Sequence, residues 1–142
     1  MDVREPSNFA LGHPLGALSV PYSQRGLSDR LHTIYRLDLP VVIIGSNAEQ
    51  AEDAGNQLES GSFGVLGIVS GGMESWLTKN LPSQTMSEID ASAIGMTMSQ
   101  QPCTVLDVRE PMEWEMGYVP GAVLISLGEL SDRLNEIPEN AP

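Results

Sequence analysis

The sequence predicts an α/β fold, a small parallel sheet flanked by helices on both faces. Three observations lead there. Short apolar runs of strand length stand at Val41-Val42-Ile43-Ile44, at Phe63 to Val69, at Thr104-Val105-Leu106-Asp107-Val108 and at Val123-Leu124-Ile125. Helical patterns alternate with these runs, and parallel strands need such crossover connections. The chain also repeats itself, with a period suited to a duplicated domain and too long for a solenoid unit.

The repeat starts at once. Asp2-Val3-Arg4-Glu5-Pro6 recurs unchanged as Asp107-Val108-Arg109-Glu110-Pro111, an offset of 105 residues. In the same register Phe9 answers to Trp114, Gly12 to Gly117, and Gly16-Ala17 to Gly121-Ala122. Leu27-Ser28-Asp29-Arg30-Leu31 then returns as Leu130-Ser131-Asp132-Arg133-Leu134 at an offset of 103. The chain thus divides into a first copy over residues 1–82, its opening strand cut short, and the first half of a second copy over 83–142. A sheet that lacks an interior strand leaves backbone groups unpaired. The Val105 strand is therefore expected to join the sheet of Val41 and Val65, within one chain or by strand exchange in a homodimer.

After the apolar run at 41–44, Gly45-Ser46-Asn47 turns the chain into a helical pattern from Ala48 to about Glu59. Ser46 and Glu49 have the spacing of a capping box. Gly71-Gly72 leads into a short helix around Met73 to Leu77, and Met86 to Ile94 reads either as a helix capped by Ser87 or as a linker. In the second copy Pro111 suits a first helical turn, where its missing N–H costs nothing, and Gly117 suits the helix end. Ser126 with Glu129 repeats the capping-box spacing ahead of a helix through Leu134.

Composition narrows the function. The 142 residues carry 19 acidic and 7 basic side chains, a formal charge of −12. Such a chain repels polyphosphate and anionic lipid, so neither nucleic acid nor a membrane surface is an expected partner. One cysteine closes no intrachain disulfide and builds no thiolate metal cage, and no apolar run approaches the roughly 18 residues of a membrane span. The start, Met-Asp-Val-Arg-Glu-Pro, has no signal-peptide pattern. The expectation is a cytoplasmic protein without metal or cofactor.

In a parallel sheet the crevice lies beyond the carboxyl ends of the strands. The loops there are Arg109-Glu110-Pro111, Gly45-Ser46-Asn47-Ala48 and Ser70-Gly71-Gly72. A glycine-bearing turn from strand to helix aims backbone N–H groups at one point, where an enzyme can place a nucleophile. Ser46 is the one hydroxyl in the Gly45 loop, but it has no base beside it in sequence, and a helix-capping role suits it better. Cys103, at the amino end of its strand, is expected to be a buried structural thiol. His13, between Gly12 and Pro14, reads as a turn residue, and Trp76 and Trp114 as packing. Asp107 and Arg109 form a strand-end pair that either lines the crevice or ties loop to helix.

Asp107-Val108-Arg109-Glu110-Pro111, with Gly117-Tyr118-Val119-Pro120-Gly121-Ala122 after it, resembles the rhodanese signature, and Gly71-Gly72-Met73-Glu74-Ser75-Trp76 resembles a later segment of the same family. The resemblance implies the rhodanese fold and a sulfurtransferase ancestry. It also implies a six-residue loop after the 41–44 strand, headed by a cysteine that carries a persulfide. That cysteine falls on Gly45, and the loop becomes Gly45-Ser46-Asn47-Ala48-Glu49-Gln50, without the arginine often found near its end. The expected function is a rhodanese-like module that is catalytically inactive and binds a protein partner or a sulfur carrier. The alternative is a thiosulfate sulfurtransferase acting through a cysteine persulfide in a longer tandem protein. A phosphatase-like relative needs both cysteine and arginine in that loop and fits least.

Overall fold

The computed structural model describes residues 1–35, 39–100 and 103–138. They fall into two compact units, residues 1–32 with 39–88, and residues 33–35 with 89–100 and 103–138.

The first unit is built around three consecutive residues. Met1–Val3 lies between two parallel neighbours, Leu18–Val20 on one edge and Val42–Ile44 on the other. Asp2 N–H donates to Leu18 C=O at 2.8 Å, and Val20 N–H donates to Asp2 C=O at 2.9 Å. Across the other edge Val3 N–H donates to Ile44 C=O at 2.8 Å and Ile44 N–H to Met1 C=O at 2.9 Å. The strand β2 (Val41–Ile43) continues outward to β3 (Val65–Ile68), again parallel. The connection between them is α3 (Ala48–Ser60), which buries Ala51, Ala54, Gly55 and Leu58. These positions recur at three- and four-residue spacing, so one stripe of the helix covers one face of the strands. Val3, Ile43, Ala54 and Leu58 have no exposed surface, and Ile44 and Val41 are buried beside them.

Around this core stand α1 (Pro6–Leu11), opened by Pro6 in its first turn, α2 (Leu27–Ile34), which buries Leu27 and Leu31, and α4 (Gly72–Thr78). A short antiparallel ladder joins β1 (His13–Pro14) to β4 (Ser83–Gln84). In the second unit α5 (Ile94–Gln100) precedes β5 (Leu106–Asp107), which pairs in parallel with β6 (Val123–Leu124) across α6 (Pro111–Trp114).

Several expectations change. The Val105 strand does not enter the sheet of Val41 and Val65: it pairs with residues 123–124, and the slot beside Ile44 is filled by Met1–Val3 itself. Within the chain Met1–Val3 is thus bonded to a neighbour on both edges. His13 is a strand residue, 1 % exposed, and not a turn. Its ring stacks on Phe9 at 3.6 Å between centroids, and its Nδ1 lies 2.8 Å from the Phe9 carbonyl oxygen. Cys103 is half-buried, not buried.

Three helix starts also move. Asn47, not Ser46, caps α3. No helix runs from Met86 to Ile94, because Asp90 accepts hydrogen bonds from both the N–H and the hydroxyl of Ser92 and delays α5 to Ile94. After Ser126 there are two short 3-10 turns, Leu130–Asp132 and Leu134–Glu136. The Glu129 carboxylate, which a capping box would need, is instead held by Arg133 at 2.8 Å.

Truncating Val3 tests the interior strand. Val3→Ala removes two methyl groups from a fully buried site, so unfolding should become easier by about 2 kcal/mol, measured by urea denaturation. An exposed control, Leu11→Ala, should leave the midpoint nearly unchanged.

Candidate functional site

Three loops at the carboxyl ends of the parallel strands of the first unit enclose a crevice of about 580 Å³. Arg4 and Asn8 follow the Met1–Val3 segment, Gly45-Ser46-Asn47-Ala48 follow β2, and Ser70-Gly71-Gly72 follow β3. Glu52 of α3 and Glu74 of α4 complete the rim. Gly71 and Gly72 have φ of +74° and +55°, a left-handed turn that L side chains adopt only with strain. They bring the backbone close: an ideal Cβ on Gly72 would stand 3.2 Å from the Gly45 carbonyl oxygen.

Gly45 is tightly surrounded as well. A Cβ built on it meets the Ala51 Cβ, the Ala51 nitrogen and the Asn47 carbonyl oxygen, each at 3.0 Å. Two of the three are backbone atoms, so a side chain has to displace the turn and not merely a rotamer. The turn is held from within. Gln50 N–H donates to the Asn47 side-chain oxygen at 2.9 Å, Ser46 N–H donates to the Gln50 side-chain oxygen at 2.8 Å, and Ala51 N–H reaches Asn47 C=O at 3.2 Å. The N–H groups of Ser46 and Gln50 are thereby committed to side-chain oxygens of the loop itself. Glu49 and Glu52 add carboxylates at the helix start, where an anion would otherwise be favoured.

The cation of the crevice is Arg4, which the repeat made legible through Arg109. Its Nε and terminal nitrogen grip Asp2 at 2.9 and 2.7 Å, and the same terminal nitrogen donates to Gly12 C=O at 2.6 Å. Arg109 repeats the clamp, reaching Asp107 at 3.0 and 2.7 Å and Gly117 C=O at 2.9 Å. Each clamp ties a strand end to the glycine that follows the next helix. The Arg109 guanidinium holds the Asp107 carboxyl at about 2, well below the usual carboxylate range. Asp107 and Arg109 belong to the second unit and are not among the residues lining this crevice.

Of the residues expected at the site, Gly45 to Ala48 line the crevice, and Glu49 and Gln50 continue into the first turn of α3. Asn8 and Glu52 were not singled out beforehand, whereas Met73 and Glu74 stood in the segment that resembles the family. Arg4 stood in the repeat, whereas Asn8 has no match in it and Glu52 needed the exact turn of α3 to be known. Among the described residues no group of three or more His, Cys, Asp or Glu side chains is placed to hold a metal ion. No helix among them is long and apolar enough to cross a membrane.

The sequence profile of the rhodanese-like domain matches residues 1–79 and 93–142. The chain belongs to the rhodanese-like domain family. Thiosulfate sulfurtransferase 16 of Arabidopsis thaliana, a chloroplast protein, is 33 % identical over 94 residues, covering 59 % of this chain and 78 % of that relative. YrkF of Bacillus subtilis is 48 % identical over 42 residues, and the chain spans only 23 % of its length. Among solved structures, a Rhodanese_3-like domain of the Alr3790 protein from Anabaena sp. superposes with a TM-score of 0.55 at 26 % identity, covering 63 % of this chain and 94 % of that one. The rhodanese-like chain thus has the fold that its repeated signature implied.

Two measurements check this geometry. Gly45→Ala should destabilise the first unit by about 1–3 kcal/mol through overpacking, whereas Ser46→Ala at an exposed position should be nearly neutral in thermal unfolding. The folded-state pKa of Asp107 lies below its unfolded value of about 3.9. Its stabilising contribution is therefore complete above that value and disappears as pH falls through about 2. In an NMR titration the Asp107 carboxyl carbon should hold its shift down to pH 3 and move only below it.

Proposed function

We propose that this rhodanese-like chain is a catalytically inactive member of a sulfurtransferase family, and that its loop crevice binds a protein partner or a sulfur carrier without transferring sulfur itself. The reading rests above all on Gly45. The position that would hold the persulfide sulfur has no side chain, and an added Cβ would press on three atoms at 3.0 Å. Persulfide chemistry needs a thiolate, and hydrogen-bond donors in a loop do not replace it. The half-buried Cys103 belongs to the second unit. The self-bonded amides of Ser46 and Gln50 and the carboxylates of Glu49 and Glu52 also disfavour an anionic sulfur donor such as thiosulfate.

The two matched segments are read as one rhodanese-like copy over residues 1–82 and the first half of another over 83–142. A second reading, a thiosulfate sulfurtransferase working through a cysteine in a longer tandem protein, is favoured by the name of the Arabidopsis relative. It requires a thiol outside the residues discussed.

A thiosulfate-to-cyanide assay separates the two for this chain. Thiocyanate should form only at the uncatalysed rate, and Cys103→Ser should change nothing. Gly45→Cys should remain inactive as well, since the new side chain enters an overfilled turn. Turnover that disappears with Cys103→Ser would refute the inactive reading.

A further inference from the structure

The charges around the crevice of the first unit do not balance. Arg4 is the single cation among its lining residues, and that charge is already committed. Two of its nitrogens lie 2.9 and 2.7 Å from the Asp2 carboxylate, and the terminal one also donates to Gly12 C=O at 2.6 Å. The Asp2 side chain has no exposed surface, so the pair cannot part without stranding a buried carboxylate. Glu52 of α3 and Glu74 of α4 line the same crevice, both exposed and each on its own element. Neither takes part in an ion pair among the described residues. The crevice therefore keeps two uncompensated carboxylates.

The remaining lining complements them. Ile68 and Val69 are half-buried and Met73 is buried, an apolar stretch that suits an aliphatic stem. Gly45 is buried too, and its carbonyl oxygen accepts no hydrogen bond among the described residues. No side chain at Gly72 covers that oxygen, since a Cβ there would stand 3.2 Å from it. A buried carbonyl without a donor is uncommon and marks a place where an N–H group is favoured. The volume of about 580 Å³ lies within the range of ligand sites, roughly 300–1,000 Å³.

We infer that this crevice takes a basic side chain, lysine or arginine, from a partner polypeptide. Its aliphatic stem lies along Ile68, Val69 and Met73, and its cationic head sits among Glu52, Glu74 and the Gly45 carbonyl. The inference rests on the binding role proposed for the crevice and names the chemistry of what enters it. A cation that carries several N–H donors and no acceptor fits a site whose uncommitted charged groups are carboxylates. An anion entering the same space meets those carboxylates and a guanidinium already held by Asp2. The formal charge of −12 on the whole chain also steers a basic segment toward it.

The test uses the intact chain and a short glycine peptide, capped at both ends, with one lysine at its centre. Titration should move the NMR signals of the Ser46, Gly71 and Gly72 amides saturably, whereas peptides with acetyl-lysine or glutamate at the centre should leave them in place. Replacing both crevice carboxylates, Glu52→Gln with Glu74→Gln, should weaken the lysine peptide by about fivefold, the worth of two exposed ion pairs. Glu59→Gln with Glu88→Gln changes the net charge equally at exposed positions outside the crevice and should leave the affinity unchanged. Equal binding of the acetyl-lysine or glutamate peptide, or an equal loss in the Glu59 and Glu88 variant, would overturn the proposal. So would unmoved crevice amides up to the solubility limit of the lysine peptide. Thiocyanate formation by the chain would instead overturn the inactive reading, and the two results are read independently.

Discussion

Three residues hydrogen-bonded along both edges hold the first unit together. Met1–Val3 takes bonds from Leu18–Val20 and from Val42–Ile44, and the burial of Val3 makes the position apolar as well as satisfied. An interior strand of a parallel sheet has no water to bond with, so its amides and carbonyls must all find protein partners. This requirement aligns the ends of three parallel strands. Arg4, Gly45 and Ser70 stand at one crevice because each follows one of them.

The electrostatics serve the same architecture. Asp2 is fully buried, and its carboxylate is neutralised by Arg4 two residues later. Breaking a buried pair by removing one partner strands the other charge, so the two residues hold each other in place. The Gly45 loop is also closed on itself. The Ser46 and Gln50 amides are bonded to side-chain oxygens of the loop, and a Cβ on its first residue would meet three atoms at 3.0 Å. The family fold is retained with a glycine, Gly45, at the head of the loop after β2. A shared fold does not by itself fix the chemistry of its loops.

Much of this was legible in the sequence. The apolar runs at 41–44 and 123–125, the helix from Ala48 and the paired Asp-x-Arg motifs all follow from residue type and repetition, and Gly45 stood out as soon as the loop was placed. What could not be read were competitions between side chains over short distances. Asn47 displaced Ser46 as a cap because its oxygen reaches Gln50 N–H. Asp90 took the Ser92 amide and delayed a helix, and Arg133 drew Glu129 away from Ser126. The larger surprise was arithmetic of another kind: three residues suffice to fill a strand position, so the longer Val105 strand was not needed there. The Cβ clearance at Gly45 likewise depends on where Ala51 and Asn47 come to rest, which no spacing reveals.

The account stands or falls on whether sulfur can be carried by this polypeptide. The direct measurement is intact mass spectrometry after incubation with a sulfane donor, followed by challenge with cyanide. The account predicts an unchanged mass, or at most an adduct on Cys103 that cyanide does not remove with turnover. An added sulfur atom that is passed on to cyanide in repeated cycles would contradict it.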